Sequence, residues 1–460
     1  MNFIITTKKE ENLSEWYHEV IEATKLVDFS SVQGCVFYND YCLAIWEQVK
    51  RFLDEKLIKL GFKEYYFPTL IPLSSFKKER KHFDYFFREV LVVSNVGNKR
   101  LNEEFVVRPT SEAIIYETFA KWINEEKDLP LLVNQYCSVI RWESFKPNMP
   151  LIRSNEFLWQ ESHSVHATEK EADKFVKDIL DIYLDLHENY LAMPVIKGYK
   201  PLHRMFPGAK YTIALEALMP DLKSVQSSTS HSLGQNFSSV FNIKFRDKNG
   251  KEKLVWQACN GITTRVIGAL VMLHGDNKGL VIPPKIAPYQ VVLIDVKDKS
   301  ILDLLKNNRL RHIADDSKKN SNERINYWIL MGVPIIIMED KNKLTLIRRD
   351  SFKKIVTNKN SLIKEVIKIL NSIQNEIYKK AKNFNKKYIT KVNSWRGFKD
   401  SAFNKGGFIE SIWCGNPGCA TKIREIKKYS VRVINPLKSY SKCVHCNNKA
   451  SYLAIFAPAY

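Results

Sequence analysis

Arg141-Trp142-Glu143 and Arg153 place two permanent cations and a carboxylate at the ends of a short segment interrupted by Pro147 and Pro150. That set suits a nucleotide phosphate, because a guanidinium is a planar fork of donors that stays charged. Tyr136, Val139 and Ile140 alternate like a strand entering the segment, and Glu156-Phe157-Leu158-Trp159 reads as the strand returning, while the prolines prevent ladder bonding between them. Two antiparallel strands would turn Arg141 and Arg153 toward a common ligand. A surface hairpin with solvated charges is the plainer alternative.

Three further runs carry groups that bind or orient. Arg108-Pro-Thr110-Ser-Glu112 precedes a helix expected to begin near Ala113, with Thr110 as N-cap and Glu112 in its first turn. Capping alone accounts for both, yet a carboxylate beside a hydroxyl would also hold a protonated amine. Gln226-Ser-Ser-Thr229-Ser-His231 is polar and compact between apolar strands: Gln226 and Thr229 could hydrogen-bond a planar ligand while His231 faces an adjoining pocket, unless the run is a hydrated loop. Gly261-Ile-Thr-Thr-Arg265 joins a glycine turn to an arginine at the start of an apolar helix, where phosphate can be met.

Cys414-x4-Cys419 and Cys443-x2-Cys446 are short-spaced pairs, whereas Cys35, Cys42, Cys137 and Cys259 are scattered. Four thiolates suit tetrahedral zinc; disulfides and unrelated free thiols are the alternatives. His445 lies inside the second pair and is left out of the ligand set.

The elements that must position these groups follow from periodicity. Residues 14–60 read as helical, with Trp16, Val20, Ile21, Val49, Phe52 and Leu53 on apolar faces and Gly61 as the stop. A strand over 65–70, a helix over 170–190 and strands through 211–255 predict a mostly antiparallel sheet with helices around it. The prolines of 281–288 mark a linker. Beyond it, strands at 291–295, 334–338 and 344–348, a helix ending near Met331 and a long helix over 361–386 predict a small α/β domain. The chain is therefore expected to be α+β, with domains at 1–285, 286–385 and 386–460.

Of the formal charge of +21, almost all lies late in the chain. Residues 1–288 carry 37 Lys and Arg against 36 Asp and Glu, a net of +1; residues 289–460 carry 34 against 14, a net of +20. The second part is expected to meet a polyanion, unless lysine bias merely decorates solvated faces. The most apolar run, 328–338, is broken by Gly332 and Pro334 and is shorter than the roughly 20 residues that span a bilayer. The first residues, Met1 to Glu11, have no basic stretch ahead of an apolar one, so a cytoplasmic protein with no signal peptide and no membrane association is expected.

Ser14-Glu-Trp-Tyr17, Phe67-Pro68 with Pro72, Arg108 to Glu112, Arg141-Trp-Glu143 with Arg153, Phe157 to His163, His231 to Phe237, Arg265 with His274-Gly-Asp276, the cysteine pairs and Tyr460 occur in a telling order. On these motifs the chain resembles prolyl-tRNA synthetase of the archaeal/eukaryotic type, a class II aminoacyl-tRNA synthetase, over nearly its whole length. The resemblance implies a class II antiparallel-sheet catalytic domain, an α/β anticodon-binding domain and a C-terminal zinc-type domain ending in Tyr460. It implies that L-proline and ATP form prolyl-adenylate and that the prolyl group passes to proline tRNA. By that analogy Thr110 and Glu112 hold the imino group, Arg141 bridges carboxylate and α-phosphate, and His231 lines the proline pocket. Glu143, Arg153, Gln226, Thr229 and Arg265 bind ATP with Mg2+, Arg141, Glu143 and Arg265 carry the catalysis, Cys414, Cys419, Cys443 and Cys446 hold Zn2+, and the enzyme is a homodimer. A ligase for another small amino acid and a non-catalytic paralogue are the alternatives; the latter should have lost Arg141, Glu143 or Arg265.

Two departures bear on this. Cys259-Asn260-Gly261 stands where the family usually has Ser-Trp-Gly, whose tryptophan helps wall the proline site, so a weaker proline KM is expected, with Asn260→Trp as its test. Residues 35–41 also lack the family's Arg-Pro-Tyr-Gly. About a hundred residues separate Glu161 from Gly261, too few for the bacterial editing insertion, so no hydrolysis of alanyl-tRNA in cis is expected.

Overall fold

A computed structural model of the chain describes residues 5–143, 149–340 and 343–460; Pro147 and the first four residues, which entered the sequence reading, lie outside the described residues. The segment Leu131–Ile140 runs antiparallel to Glu156–His166, from Leu131 opposite Val165 to Ile140 opposite Glu156, as the alternation around Arg141 predicted. Trp256–Thr263, Ser224–Gly234, Tyr211–Leu218 and Val195–Tyr199 then add in antiparallel order.

Helices pack on this sheet along the stripes that their spacing predicts. Leu13–Thr24 and Asp40–Lys59 bury Trp16, Tyr17, Val20, Ile45, Val49 and Leu53 against Ile267 and Leu270 of Arg265–His274. Each such side chain contributes about 1.5–3 kcal/mol. The helical stretch expected over 14–60 is broken by a hairpin, Val27–Phe29 with Val36–Tyr38. Asn12 and Asn39 cap the two helices. Gly268 permits the close approach of Arg265–His274 to its neighbours, since a Cβ there would lie 2.9 Å from Ile152 Cδ1 and 3.0 Å from the Tyr17 hydroxyl.

Several local expectations are corrected. Residues 65–69 are not a strand: Lys63–Glu64 and Leu70–Pro72 flank them, Pro68 offers no N–H, and Phe67 N–H goes to Gln135 Oε1 instead of a ladder partner. Ser111, not Thr110, occupies the cap position of Glu112–Trp122, and no side chain caps that helix. Residues 226–231 form part of a buried strand, not a loop, and Gly261 lies within Trp256–Thr263 rather than at a turn.

The later α/β unit has a five-stranded sheet in the order His312–Ala314, Val291–Ile294, Ile335–Asp340, Lys343–Arg348, Lys354–Thr357; its first three strands are parallel. Leu362–Lys387 covers it with Leu362, Val366, Leu370 and Ile373. The last strands do not form a separate sheet. Ser430–Lys442 meets Val195–Tyr199 at Ile434 and Tyr199, and with Lys449–Ala457, Phe408–Trp413 and Ile389–Lys391 it extends the central sheet to eleven strands.

Candidate active site

The strand row Thr212, His231, Cys259, His163 shares one face of the central sheet. Above it opens a cavity of about 220 Å³ lined by Thr110, Glu112, Arg141, Gln226, Thr229, His231 and Arg265. Seven of the nine residues predicted for the ligands therefore converge. Glu143 and Arg153 do not line it. Arg153 Nε donates to Glu143 Oε2 on the adjoining hairpin instead of turning with Arg141 toward one ligand.

Arg141 is fixed before any ligand arrives. Its Nε donates to Pro109 O at 2.9 Å, and its guanidinium lies 5.0, 5.5 and 5.7 Å from the ring centres of Phe86, Phe157 and Trp159. Rings on three sides favour a cation and leave the remaining N–H groups for an anion. The hairpin is pinned by Asn155, which sequence reading missed. Its backbone O accepts from Arg141 N, its Oδ1 accepts from Glu143 N, and its Nδ2 donates to Gln33 O. Tyr17 adds a bond from its hydroxyl to Pro150 O at 2.6 Å.

At the opposite wall, Arg265 Nε donates to Ile152 O at 2.8 Å and Nη1 reaches Gln226 O at 3.5 Å. Burial, and then the like charge of Arg141, push its pKa down to about 10, so it remains a cation at neutral pH. Two guanidinium groups across one cavity suit the phosphates of a nucleotide.

The other end of the cavity is acidic and buried. Glu112 accepts from Thr110 Oγ1 and, at 3.7 Å, from Cys259 Sγ. Glu161 accepts from Gln135 Nε2 at 2.7 Å, from Ser111 Oγ and, at 3.0 Å, from His163 Nε2. Burial opposes its charge, but these donors outweigh burial and hold its carboxyl below the ordinary value. Glu112, His163 and Cys259 present ligand atoms within 4.8 Å of one another. Such a set suits a cation. His231 bonds Thr212 Oγ1 at 2.8 Å and Thr229 Oγ1 at 2.9 Å, with Phe206 at a ring distance of 4.7 Å. Burial, then His163 and Arg141, push it down to about 3, so it is a neutral wall.

Asn260 is among the residues around the cavity, beside Cys259, but its side chain is bonded on the other face of the strand. Its side chain accepts from Ser230 Oγ and reaches Ser162 Oγ, on the face where Ser230 also donates to Val176 O of Glu169–Asp185. The side chain therefore points away from the acidic end of the cavity, and the residue whose side chain meets Glu112 is Cys259.

Outside the cavity lining, the Sγ atoms of Cys414, Cys419, Cys443 and Cys446 lie within 4.8 Å of one another, at 3.7 Å for Cys419 to Cys443 and for Cys414 to Cys446. Tetrahedral zinc with Zn–S of about 2.3 Å requires sulfurs about 3.8 Å apart, so the four residues fit the ion. His445 Nδ1 lies 3.3 Å from Cys419 Sγ, beside the cluster.

A cavity with opposed arginines at one end and a cation-seeking carboxylate at the other matches what comparison with known proteins finds. Residues 92–274 match the class II tRNA synthetase core domain of the G, H, P, S and T type, 288–369 an anticodon binding domain, and 395–460 the C-terminal domain of prolyl-tRNA synthetase. Proline–tRNA ligase 2 of Bacillus thuringiensis is 39% identical over 469 residues, covering 99% of this chain and 98% of the relative. This chain belongs to the proline–tRNA ligase family. Members from Natranaerobius thermophilus and Clostridium novyi are each 38% identical, with 99% of this chain and 98% of each relative covered. Within this family the cavity belongs to the class II core, and the long helix and five-stranded sheet contain the anticodon-binding match.

Proposed function

We propose that the chain is a proline–tRNA ligase that activates L-proline with ATP and transfers the prolyl group to the 3′ end of proline tRNA. The observation that carries this reading is the convergence of Thr110, Glu112, Arg141, His231 and Arg265 on one cavity. In it, the imino group is held by Glu112 and Thr110, and the carboxylate is drawn to Arg141 beside the α-phosphate. A carboxylate oxygen attacks phosphorus in line, the bond to the bridging oxygen breaks, and pyrophosphate leaves between Arg141 and Arg265. Gln226 and Thr229 face the nucleotide, and contact of ATP with Glu143 and Arg153, which pair with each other on the adjoining hairpin outside the cavity lining, is part of the same proposal. Mg2+, when bound with ATP, neutralises phosphate charge. Catalysis is then positioning and charge neutralisation, with no covalent enzyme intermediate.

The finer assignment is the archaeal/eukaryotic architectural type, although the relatives named above are bacterial; it is supported by the cysteine cluster within residues 395–460 and by the short stretch between Glu161 and Gly261, too few residues for an editing insertion. Domains at 1–285, 286–385 and 386–460, with structural zinc on Cys414, Cys419, Cys443 and Cys446, belong to the same reading. So does a homodimer, supported by the exposed Leu70, Val92 and Val96 on the small sheet around Lys99–Val107. Among the described residues no helix is long and apolar enough to cross a membrane, and a cytoplasmic location is proposed with the function. Exchange of label between pyrophosphate and ATP tests the reading: it must depend on proline, and exchange driven equally by alanine, or absent with both, overturns it.

A further inference from the structure

Glu216, on Tyr211–Leu218, is fully buried and belongs to none of the ligand sets described above. Its carboxylate receives Lys200 Nζ at 2.9 Å, Ser224 Oγ at 2.6 Å, Arg432 Nε at 3.0 Å and Arg432 Nη2 at 3.0 and 3.1 Å. Lys200 and Arg432 are each only 6% exposed, so water does not screen the cluster. Two of these groups are local. Arg432 is not: it stands on Ser430–Lys442, inside the C-terminal domain match.

Lys200 lines the active-site cavity. Its backbone N–H donates to Thr212 O, and Thr212 Oγ1 bonds His231, so the lysine stands at the end of the row that builds the amino-acid pocket. Two cations on one carboxylate leave a net positive charge at the cavity floor. Without Arg432, Lys200 and Glu216 would neutralise each other, and the carboxylate would lose the bidentate fork that fixes its plane. The chain end grips the same place, since Ser224 N donates to Pro458 O and the Tyr460 hydroxyl donates to Asp221.

We propose that Arg432 is a positioning residue for adenylate formation, by which the C-terminal domain, through Glu216, presents the Lys200 ammonium to the anionic reactants in the catalytic cavity. This rests on the ligase reading above. An oriented charge acts most on the transition state, where negative charge passes to the leaving pyrophosphate, so the loss should fall on kcat more than on KM.

The test is proline-dependent pyrophosphate exchange by the full chain. Arg432→Met and Lys200→Met should each lower kcat about tenfold or more, with KM for ATP within about threefold. The double change, made together with Glu216→Gln so that no buried carboxylate is left without a cation, should lose no more than the worse single one, because Arg432 acts through Lys200. Arg432→Lys should recover to within about threefold of wild type, and tRNA affinity by filter binding should not change. Should Arg432→Met fail to fold because Glu216 loses its donors, Arg432→Gln offers an amide donor without the charge and must still show the loss. Wild-type exchange by Arg432→Met or Arg432→Gln, or losses that multiply when the Lys200 and Arg432 changes are combined, overturns the inference. A wild-type chain with no proline-dependent exchange would instead sink the ligase reading itself.

Discussion

Replacing Glu112 by glutamine separates an anchor for the substrate's cation from a merely structural carboxylate. The side chain is 2% exposed, at the first turn of Glu112–Trp122, and accepts from Thr110 Oγ1 and Cys259 Sγ. Glutamine keeps the volume and an oxygen for Thr110, so the fold should survive. What is lost is the negative charge facing the protonated imino group. A hydrogen bond to a charged partner contributes about 1.5–3 kcal/mol, which is about 10- to 150-fold in kcat/KM for proline. The nucleotide end is built from Arg265, at the start of a helix, and Gln226, on another strand, so KM for ATP should stay within about twofold. Proline and ATP are varied separately in pyrophosphate exchange, with a thermal melt as the check on folding. An unchanged proline KM, or proline and ATP constants rising together, would refute the assignment.

Asn260→Trp should lower the melting temperature and leave the proline KM unimproved, since the side chain points toward Glu169–Asp185 and overpacking costs about 1–3 kcal/mol; an improved proline KM with an unchanged melt would mean that the face has been misread. Cys443→Ser should reduce bound zinc, measured by elemental analysis, from about one ion per chain to a small fraction, and should loosen the strands that carry Arg432; full occupancy would exclude the four-sulfur site. Burial pushes His166 and His187 down to about 4 and His231 and His274 down to about 3. Above their ordinary value of 6.5 both states are unprotonated; below it the unfolded chain takes up protons that the folded chain refuses, so stability falls by about 1.4 kcal/mol per pH unit for each such histidine. Denaturant midpoints measured from pH 7 to 5 should therefore decline, and a flat profile would contradict the buried neutral state.

The residues of the cavity were legible because local pattern and charge coincide there. Alternation around Tyr136 to Ile140 and Glu156 to Trp159 places Arg141 at a strand end, and a hydroxyl and a carboxylate two residues apart, as at Thr110 and Glu112, hold a cation wherever the backbone carries them. Two kinds of information were not legible. One is parity. In a strand the face alternates at every residue, so the difference between Cys259 and Asn260 is one step, and composition does not reveal which of two small buried residues faces the ligand. Register against His163 and His231 decides it. The other is distance. Asn155 has no signature beyond a lone amide, and Glu216 and Arg432 are 216 residues apart, on segments that read as unremarkable strands. Their pairing depends on the last strands joining the central sheet through Ile434 and Tyr199, a contact that no spacing announces. The strands of the cysteine-bearing tail continue the sheet that carries His231, so the charge balance at the cavity floor includes a residue from the tail.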